Sequence, residues 1–133
     1  MKKLVLGSLL MAAAACASQP PPAMTAAQQS DFQKVIAGRT PGPPQTCVSQ
    51  QLLRGNKTYG EGVIVFEGPT RGSPIYVNRP PAGCPELRWD RALRTRTTST
   101  QLCSNDIVTV FDPVSHIDYG SCSLGEFVPY RKS

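Results

Sequence analysis

A chain of 133 residues with 13 prolines and 11 glycines is long enough for one small domain with a single core. The formal charge is +5, but Lys2 and Lys3 lie in a segment that we expect to be removed, which leaves 12 basic and 9 acidic side chains and a net charge of +3. Such a small surplus gives no reason to expect a nucleic-acid partner.

Residues 1–15 have the pattern of a secretory signal peptide. Two lysines follow the initiating methionine, and the uncharged stretch 4–15 comes next. Its twelve residues are too few to cross the hydrocarbon core of a bilayer, which takes about 20 in a helix. A basic start, a short apolar core and small residues at the end indicate an exported protein.

Cys16 has two interpretations. Ala14 and Ala15 before it match the bacterial lipobox, in which the cysteine becomes the lipidated first residue of the mature chain, although Ala13 stands where a leucine is usual. The alternative is ordinary cleavage after Ala17, because alanines at positions 15 and 17 satisfy the small-residue rule for signal cleavage.

The segment that follows favours the lipidated form. Residues 16–30 are polar, small and proline-bearing, which is typical of a flexible tether between an anchor and a domain. Ala17 and Ser18 follow the cysteine, and the aspartate that retains many lipoproteins at the inner membrane is absent there. We therefore expect an outer-membrane lipoprotein that faces the periplasm, with Cys16 as its attachment point.

A single helical pattern opens the domain of residues 31–133. The segment 25–37, TAAQQSDFQKVIA, has an apolar face, and Thr25 or Ser30 can cap its start, while Gly38 fits its end. The residues of the apolar face are Phe32, Val35 and Ile36.

After residue 38, glycine and proline separate short β-rich runs, a pattern typical of an all-β domain. The predicted strands are 46–53, 62–68, 73–79, 106–112, 116–120 and 125–130. The run 62–68, GVIVFEG, is apolar on both faces and is predicted to be central. Pro129 places the last strand at an edge or at a strand end. We expect a small, mainly β sandwich or barrel of five to six strands, stapled by disulfides, with one short N-terminal helix.

Four cysteines in an exported chain predict two disulfides. No C-x-x-C motif is present, and spacings of 37, 19 and 19 residues do not suit zinc, so we expect neither a metal nor another cofactor. Four cysteines allow three pairings, between which sequence cannot choose. Our hypothesis is the nested arrangement, in which Cys84–Cys103 lies inside Cys47–Cys122.

His116 is the single histidine and offers the one enzymatic interpretation, a hydrolase that uses His116 with Asp118. On a strand the two side chains would point the same way. No nucleophile elbow or oxyanion-loop motif accompanies them, so a polar surface turn or edge strand is the better interpretation.

Residues 88–96 form the best sequence candidate for anion binding, to a lipid phosphate or an acidic glycan. Guanidinium groups suit phosphate recognition and stack on indole, and this stretch holds four of them beside Trp89: Arg88, Arg91, Arg94 and Arg96. The alternative is a solvated basic loop in which Trp89 packs on the core and Asp90 offsets part of the charge.

Asn78 and Asp106 stand at predicted strand ends beside turn-forming residues. Their side chains commonly bond the local backbone in such places, so local turn chemistry is the expected role of both.

The sequence around the cysteines resembles a group of small exported proteobacterial proteins, many of them lipoproteins, that is known as a domain of unknown function. The resemblance rests on CV at 47, YVNRPPAGCPEL at 76–87, LCSNDIV at 102–108 and GSCSLGEFVPY at 120–130. It implies an envelope location and a shared fold, and it assigns no catalytic or binding residue. In size and class the chain is also similar to periplasmic lysozyme inhibitors, although its positive surplus opposes docking on a basic lysozyme.

These observations favour a non-enzymatic, lipid-anchored binding or accessory domain of the cell envelope. Its partners are expected to be the membrane, through the anchor, and an unknown envelope protein or an anionic glycan or lipid. The alternatives are an inhibitor of an envelope hydrolase such as lysozyme and the hydrolase built on His116.

Overall fold

The computed structural model describes residues 24–60, 62–88 and 90–133. The predicted signal peptide, Cys16 and most of the tether lie outside the described residues, and so does the predicted packing of Trp89. The described part is mainly β, as predicted, with ten strands in three sheets and one α-helix. None of its helices has the length and apolar character needed to cross a membrane.

The elements follow one another in short segments along the chain. They are α1 (Ala26–Ile36), β1 (Arg39–Pro41), β2 (Cys47–Ser49), β3 (Gly55–Thr58), β4 (Ile64–Glu67), β5 (Ile75–Asn78), β6 (Ala92–Thr95), β7 (Gln101–Cys103), β8 (Ile107–Phe111), β9 (Asp118–Ser123) and β10 (Phe127–Lys132). Five strands form an antiparallel main sheet in the order β1-β10-β5-β4-β3. Strands β2 and β7 form a two-stranded ribbon, and β6-β8-β9 form a small sheet.

Helix α1 confirms the predicted helix, and of its two candidate caps the structure uses Thr25. The hydroxyl of Thr25 accepts a hydrogen bond from the backbone N–H of Gln28, whose side-chain oxygen accepts one in return from the N–H of Thr25. This reciprocal capping box satisfies two N–H groups at the start of the helix. Gly38 follows the helix with a φ of 70°, a conformation that glycine adopts at low cost. The helix begins five residues before position 31, where the sequence predicts the start of the domain.

The main sheet is the middle layer of the molecule. On one face, Val65 and Val77 pack with Phe32 of α1 and with Tyr59. On the other face, a second cluster contains Ile64, Phe66, Tyr76 and Phe127. The central position predicted for residues 62–68 is confirmed, because β4 lies between β3 and β5 and carries buried side chains on both faces.

The ribbon and the small sheet cover the second face of the main sheet. The ribbon contributes Val48 and Leu102 to the shared core, and the small sheet contributes Val108 and Val110. The layers form a sandwich whose sheets are not closed into a barrel. Strands β1, β3, β6 and β7 add to the five or six that were predicted, because runs of three or four residues are too short to show a clear hydrophobic period.

Strand β10 lies between β1 and β5, and Pro129 is its third residue, so the prediction that Pro129 marks an edge or a strand end is wrong. The backbone of Phe127 exchanges two hydrogen bonds with Gln45, and the carbonyl of Pro129 accepts one from the N–H of Gly42. Within an extended strand the N–H and C=O of a residue point to the same side. The position of the missing N–H of Pro129 therefore faces Gly42, just beyond the end of β1. Because this side is turned away from β5, the hydrogen bonds between β10 and β5 lose no donor.

The disulfides join Cys47 to Cys103 and Cys84 to Cys122, so the predicted nested pairing is wrong. The reason is strand register: the ribbon places Cys47 directly opposite Cys103. Cys84 is fully buried and belongs to the same core as Val108, the residue opposite Cys122. The two bridges therefore interleave along the chain, and each typically contributes about 2–4 kcal/mol to stability. Structural disulfides of this kind form in an oxidising environment, such as the one that exported proteins encounter.

The side chain of Asn78 joins β5 to Gly125, which lies just before β10. The prediction that Asn78 bonds only the local backbone of a turn is therefore wrong. Its amide donates to the carbonyl of Gly125 (2.8 Å) and accepts from the N–H of Gly125 (2.9 Å), with Asn78 fully buried. A side chain on Gly125 would collide with the carbonyl of Arg79, so glycine is required there. Asp106 does have the predicted local role, because its carboxylate accepts the N–H of Cys103 at 2.7 Å.

We predict that Asn78→Ala lowers the free energy of unfolding by about 2–4 kcal/mol, because the buried N–H and C=O of Gly125 lose their partners. Urea unfolding measures the effect. Asn56→Ala is the matched control, since Asn56 is exposed on β3. Equal effects from the two variants would contradict the role of the buried amide.

We predict that non-reducing peptide mapping finds Cys47 linked to Cys103 and Cys84 linked to Cys122. Trypsin alone cannot separate the bridges, because residues 104–121 contain no lysine or arginine. A second protease that cleaves at aspartate separates Cys103 from Cys122 at Asp106, Asp112 and Asp118. A linked peptide that holds Cys84 and Cys103 would contradict the structure.

Candidate functional site

The turn between β8 and β9 is held by the carboxylate of Asp112. Its Oδ1 accepts the backbone N–H groups of Val114 (2.7 Å) and Ser115 (3.0 Å). The backbone of Asp112 also donates to the carbonyl of Ile117 and accepts from the N–H of His116. These bonds from Ser115 and Val114 favour the ionised carboxylate and hold the pKa of Asp112 below its usual range.

Two apolar side chains project from this turn. Val114 is 88% exposed and Ile117 is 55% exposed. We call residues 113–117 the hairpin tip. Its polar backbone groups bond inward to Asp112, which leaves the β-branched side chains directed away from the core. Neither residue was predicted to be functional, and the sequence signal for them is a pair of aliphatic residues in a polar segment that also holds Pro113 and Ser115.

Two arginines pack beside the hairpin tip on aromatic rings. The Arg94 guanidinium lies 4.3 Å from the centre of the Phe111 ring and bonds Asp118 at 3.1 Å. The guanidinium of Arg91 lies 3.7 Å from the centre of the Tyr119 ring. Tyr119 is the extra residue of a β-bulge, because Val110 pairs with Gly120 while Phe111 pairs with Asp118.

The structure separates the four arginines of residues 88–96 into two kinds. Arg91 bonds both the carboxylate and the carbonyl of Glu86 at 2.8 Å, and its side chain is only 13% exposed. Arg94 is paired with Asp118 as described. Arg88 and Arg96 are exposed, and neither forms an ion pair within the described part of the chain. Two of the four charges are therefore matched by carboxylates, and Arg91 pairs with Glu86 instead of Asp90.

His116 and Asp118 do not lie on the same face of one strand, as the sequence had suggested. His116 lies in the turn with a φ of 61°, and β9 begins only at Asp118, so their alternation on one strand face does not occur. The Asp118 carboxylate is bound by Arg94, and no hydrogen bond joins it to His116 in residues 90–133. In the described part of the chain, no group of three or more His, Cys, Asp and Glu side chains is placed to hold a metal ion.

We predict that the amide proton shifts of Val114 and Ser115 titrate with a midpoint below about 3.9, the usual pKa of an aspartate. Because the pKa is lower in the folded chain, the contribution of this turn to stability is complete above the unfolded pKa. It is lost as the pH falls through the folded value. NMR titration of the protein checks this, and Asp112→Asn should abolish both transitions. A midpoint at or above 3.9 would contradict the hydrogen-bonded turn.

The chain matches no protein-family model, no curated protein and no solved structure. The features of the fold that bear on its function are the exposed side chains of Val114 and Ile117 and the two arginine–aromatic pairs beside them.

Proposed function

We propose that this protein is a non-enzymatic binding domain of the bacterial cell envelope, held at the outer membrane by a lipid on Cys16. In this proposal the hairpin tip binds a protein partner in the periplasm. The observation that carries the proposal is the exposure of Val114 and Ile117 on a turn that Asp112 holds in one conformation.

The location is supported by the cysteines. The two disulfides indicate an oxidising environment, and the lipobox pattern at Cys16 favours attachment at a membrane. Helix α1 starts at Ala26, so in this proposal the tether consists of the ten residues 16–25. Ten residues span at most about 33–36 Å when fully extended, which keeps the partner near the membrane surface.

The surroundings of the hairpin tip favour a protein over an anionic lipid or glycan. Aromatic residues and arginine are enriched in protein interfaces, and here Arg91 and Arg94 already lie against Tyr119 and Phe111. Because Glu86 and Asp118 neutralise these two arginines, they attract an anionic surface only weakly. Full burial of a valine or isoleucine side chain contributes about 1.5–3 kcal/mol, so the hairpin tip suits a transient contact more than an obligate one.

The second candidate is an inhibitor of an envelope hydrolase, and the hairpin tip favours this function as well. Protease inhibitors present a preorganised surface that changes little on binding, and Asp112 preorganises this turn. The hydrolase alternative that uses His116 has less support, because Asp118 is bound by Arg94.

The proposal is tested by photo-crosslinking in cells with the full chain. A photoreactive amino acid at position 114 should give one adduct of discrete mass in the membrane fraction. Ile117→Asp should abolish the adduct, because the charge opposes burial of the tip. Cys16→Ser should release the protein from the membrane and reduce the adduct, since the partner is then no longer held nearby.

The matched control places the photoreactive residue at Asn56, which is exposed on β3 of the main sheet. The same adduct from positions 114 and 56 would contradict a specific role for the hairpin tip. Unchanged membrane association of Cys16→Ser would contradict the lipid anchor. The identified partner distinguishes the two candidates, because an inhibitor should give an adduct with a hydrolase and lower its activity at equal molar amounts.

A further inference from the structure

A second surface, which we call the basic cleft, lies at one end of the main sheet. It is formed by the last turn of α1, the start of β1, the turn joining β4 to β5, and the end of β10. Its charged lining residues are Lys34, Arg39, Glu67, Arg71 and Lys132. The cavity volume is about 540 Å³, within the usual range of small-molecule sites.

The charge of the basic cleft is strongly one-sided. Four of its lining residues are basic and only Glu67 is acidic. Lys34 forms an ion pair with Asp31 at 3.4 Å, and both side chains are well exposed, so this pair is weak. Counting Asp31 as well, four positive charges face two negative ones. This excess of two is most of the +3 net charge that remains after residues 1–15 are removed.

Arg39 gives the basic cleft a cation that is fixed in position. Its Nη1 donates to the carbonyls of Ser73 (2.9 Å) and Tyr130 (3.2 Å), and its Nη2 donates to the carbonyl of Arg71 (3.1 Å). These acceptors are neutral, so the positive charge of Arg39 is not cancelled by a carboxylate. Two of the five guanidinium N–H donors remain for another acceptor.

The same bonds position the turn that carries Arg71. Arg39 links this turn to β10, and Ser73 and Thr70 bond each other through backbone and hydroxyl groups. The backbone of Arg71 is therefore held in place, and Arg71 is an exposed residue of the cavity lining. The side chains of Arg71 and Lys132 are in no ion pair within the described residues. Both are available to an anionic ligand.

We propose that the basic cleft binds a small soluble phosphate ester, with Arg71 and Lys132 contacting the phosphate beside the fixed charge of Arg39. A phosphate monoester carries about −1.5 to −2 charges near pH 7, which matches the excess of two positive charges better than a single carboxylate does. Guanidinium and ammonium donors form strong charge-assisted bonds to phosphate oxygens. This site is separate from the hairpin tip and does not depend on the function proposed for it.

The position of the basic cleft favours a soluble ligand over a lipid headgroup. Met24 lies beside Gly60, in the turn joining β3 to β4, whereas the basic cleft lies at the turn joining β4 to β5. These turns are at opposite ends of β4, and the 11-residue helix α1 runs about 16 Å between them. The basic cleft is therefore at the far end of α1 from the tether.

The test is calorimetric titration of the full mature chain with a hexose 6-phosphate, and with acetate as a singly charged comparison. The double variant Arg71→Gln with Lys132→Gln should weaken hexose phosphate binding about tenfold or more, because two charged donors are lost. Neither side chain makes a hydrogen bond within the described residues, so we expect the variant to fold. Urea unfolding of the same sample verifies this.

The matched control is the double variant Arg88→Gln with Arg96→Gln, which removes the same charge from exposed positions outside the basic cleft. It should leave the affinity within about twofold of the parent, because neither arginine lines the basic cleft and salt at 0.1 M screens exposed charges over about 10 Å. Equal weakening by both double variants would overturn the proposal in favour of a general charge effect.

Two further outcomes would also overturn the proposal. One is the absence of hexose phosphate binding to the parent protein at millimolar concentration. The other is binding to vesicles that contain phosphatidic acid without binding to hexose phosphate, which would assign the basic cleft to a lipid headgroup.

Discussion

The structure depends on one constraint, which is that the main sheet must be covered on both faces. Strand β4 carries Val65 on one face and Ile64 and Phe66 on the other, and all three are buried. One amphipathic helix covers the first face through Phe32. The second face requires the ribbon and the small sheet, whose strands are too short to be stable without the main sheet. The order of layers follows from this need to bury apolar surface on two sides.

Covalent and polar links hold these layers in register. Cys47–Cys103 closes the ribbon, and Cys84–Cys122 joins the segment after β5 to the small sheet. The amide of Asn78 connects β5 to Gly125 inside the core, where an unpaired backbone group would cost free energy. A domain of about 100 residues has a small core, so each of these links is a sizeable part of its net stability.

The two proposed binding surfaces use different parts of this scaffold. The hairpin tip extends from the small sheet and exposes aliphatic side chains on a turn held by Asp112. The basic cleft is formed at the end of the main sheet, where Arg39 is bound by three carbonyl groups. In both places the backbone is fixed by hydrogen bonds while the side chains that would bind remain exposed.

The sequence by itself determined the features that depend on local pattern. These are the mainly β class, helix α1, the two-faced strand 62–68, and four cysteines in two disulfides. Only the tertiary structure decided which cysteines pair, because register places Cys47 opposite Cys103. It also decided that Asn78 bonds Gly125 and that carboxylates pair with Arg91 and Arg94.

The basic cleft joins residues from position 34 to position 132, and no local period relates such distant positions. Their proximity follows from the antiparallel order of the main sheet, which forms only when both of its faces are buried.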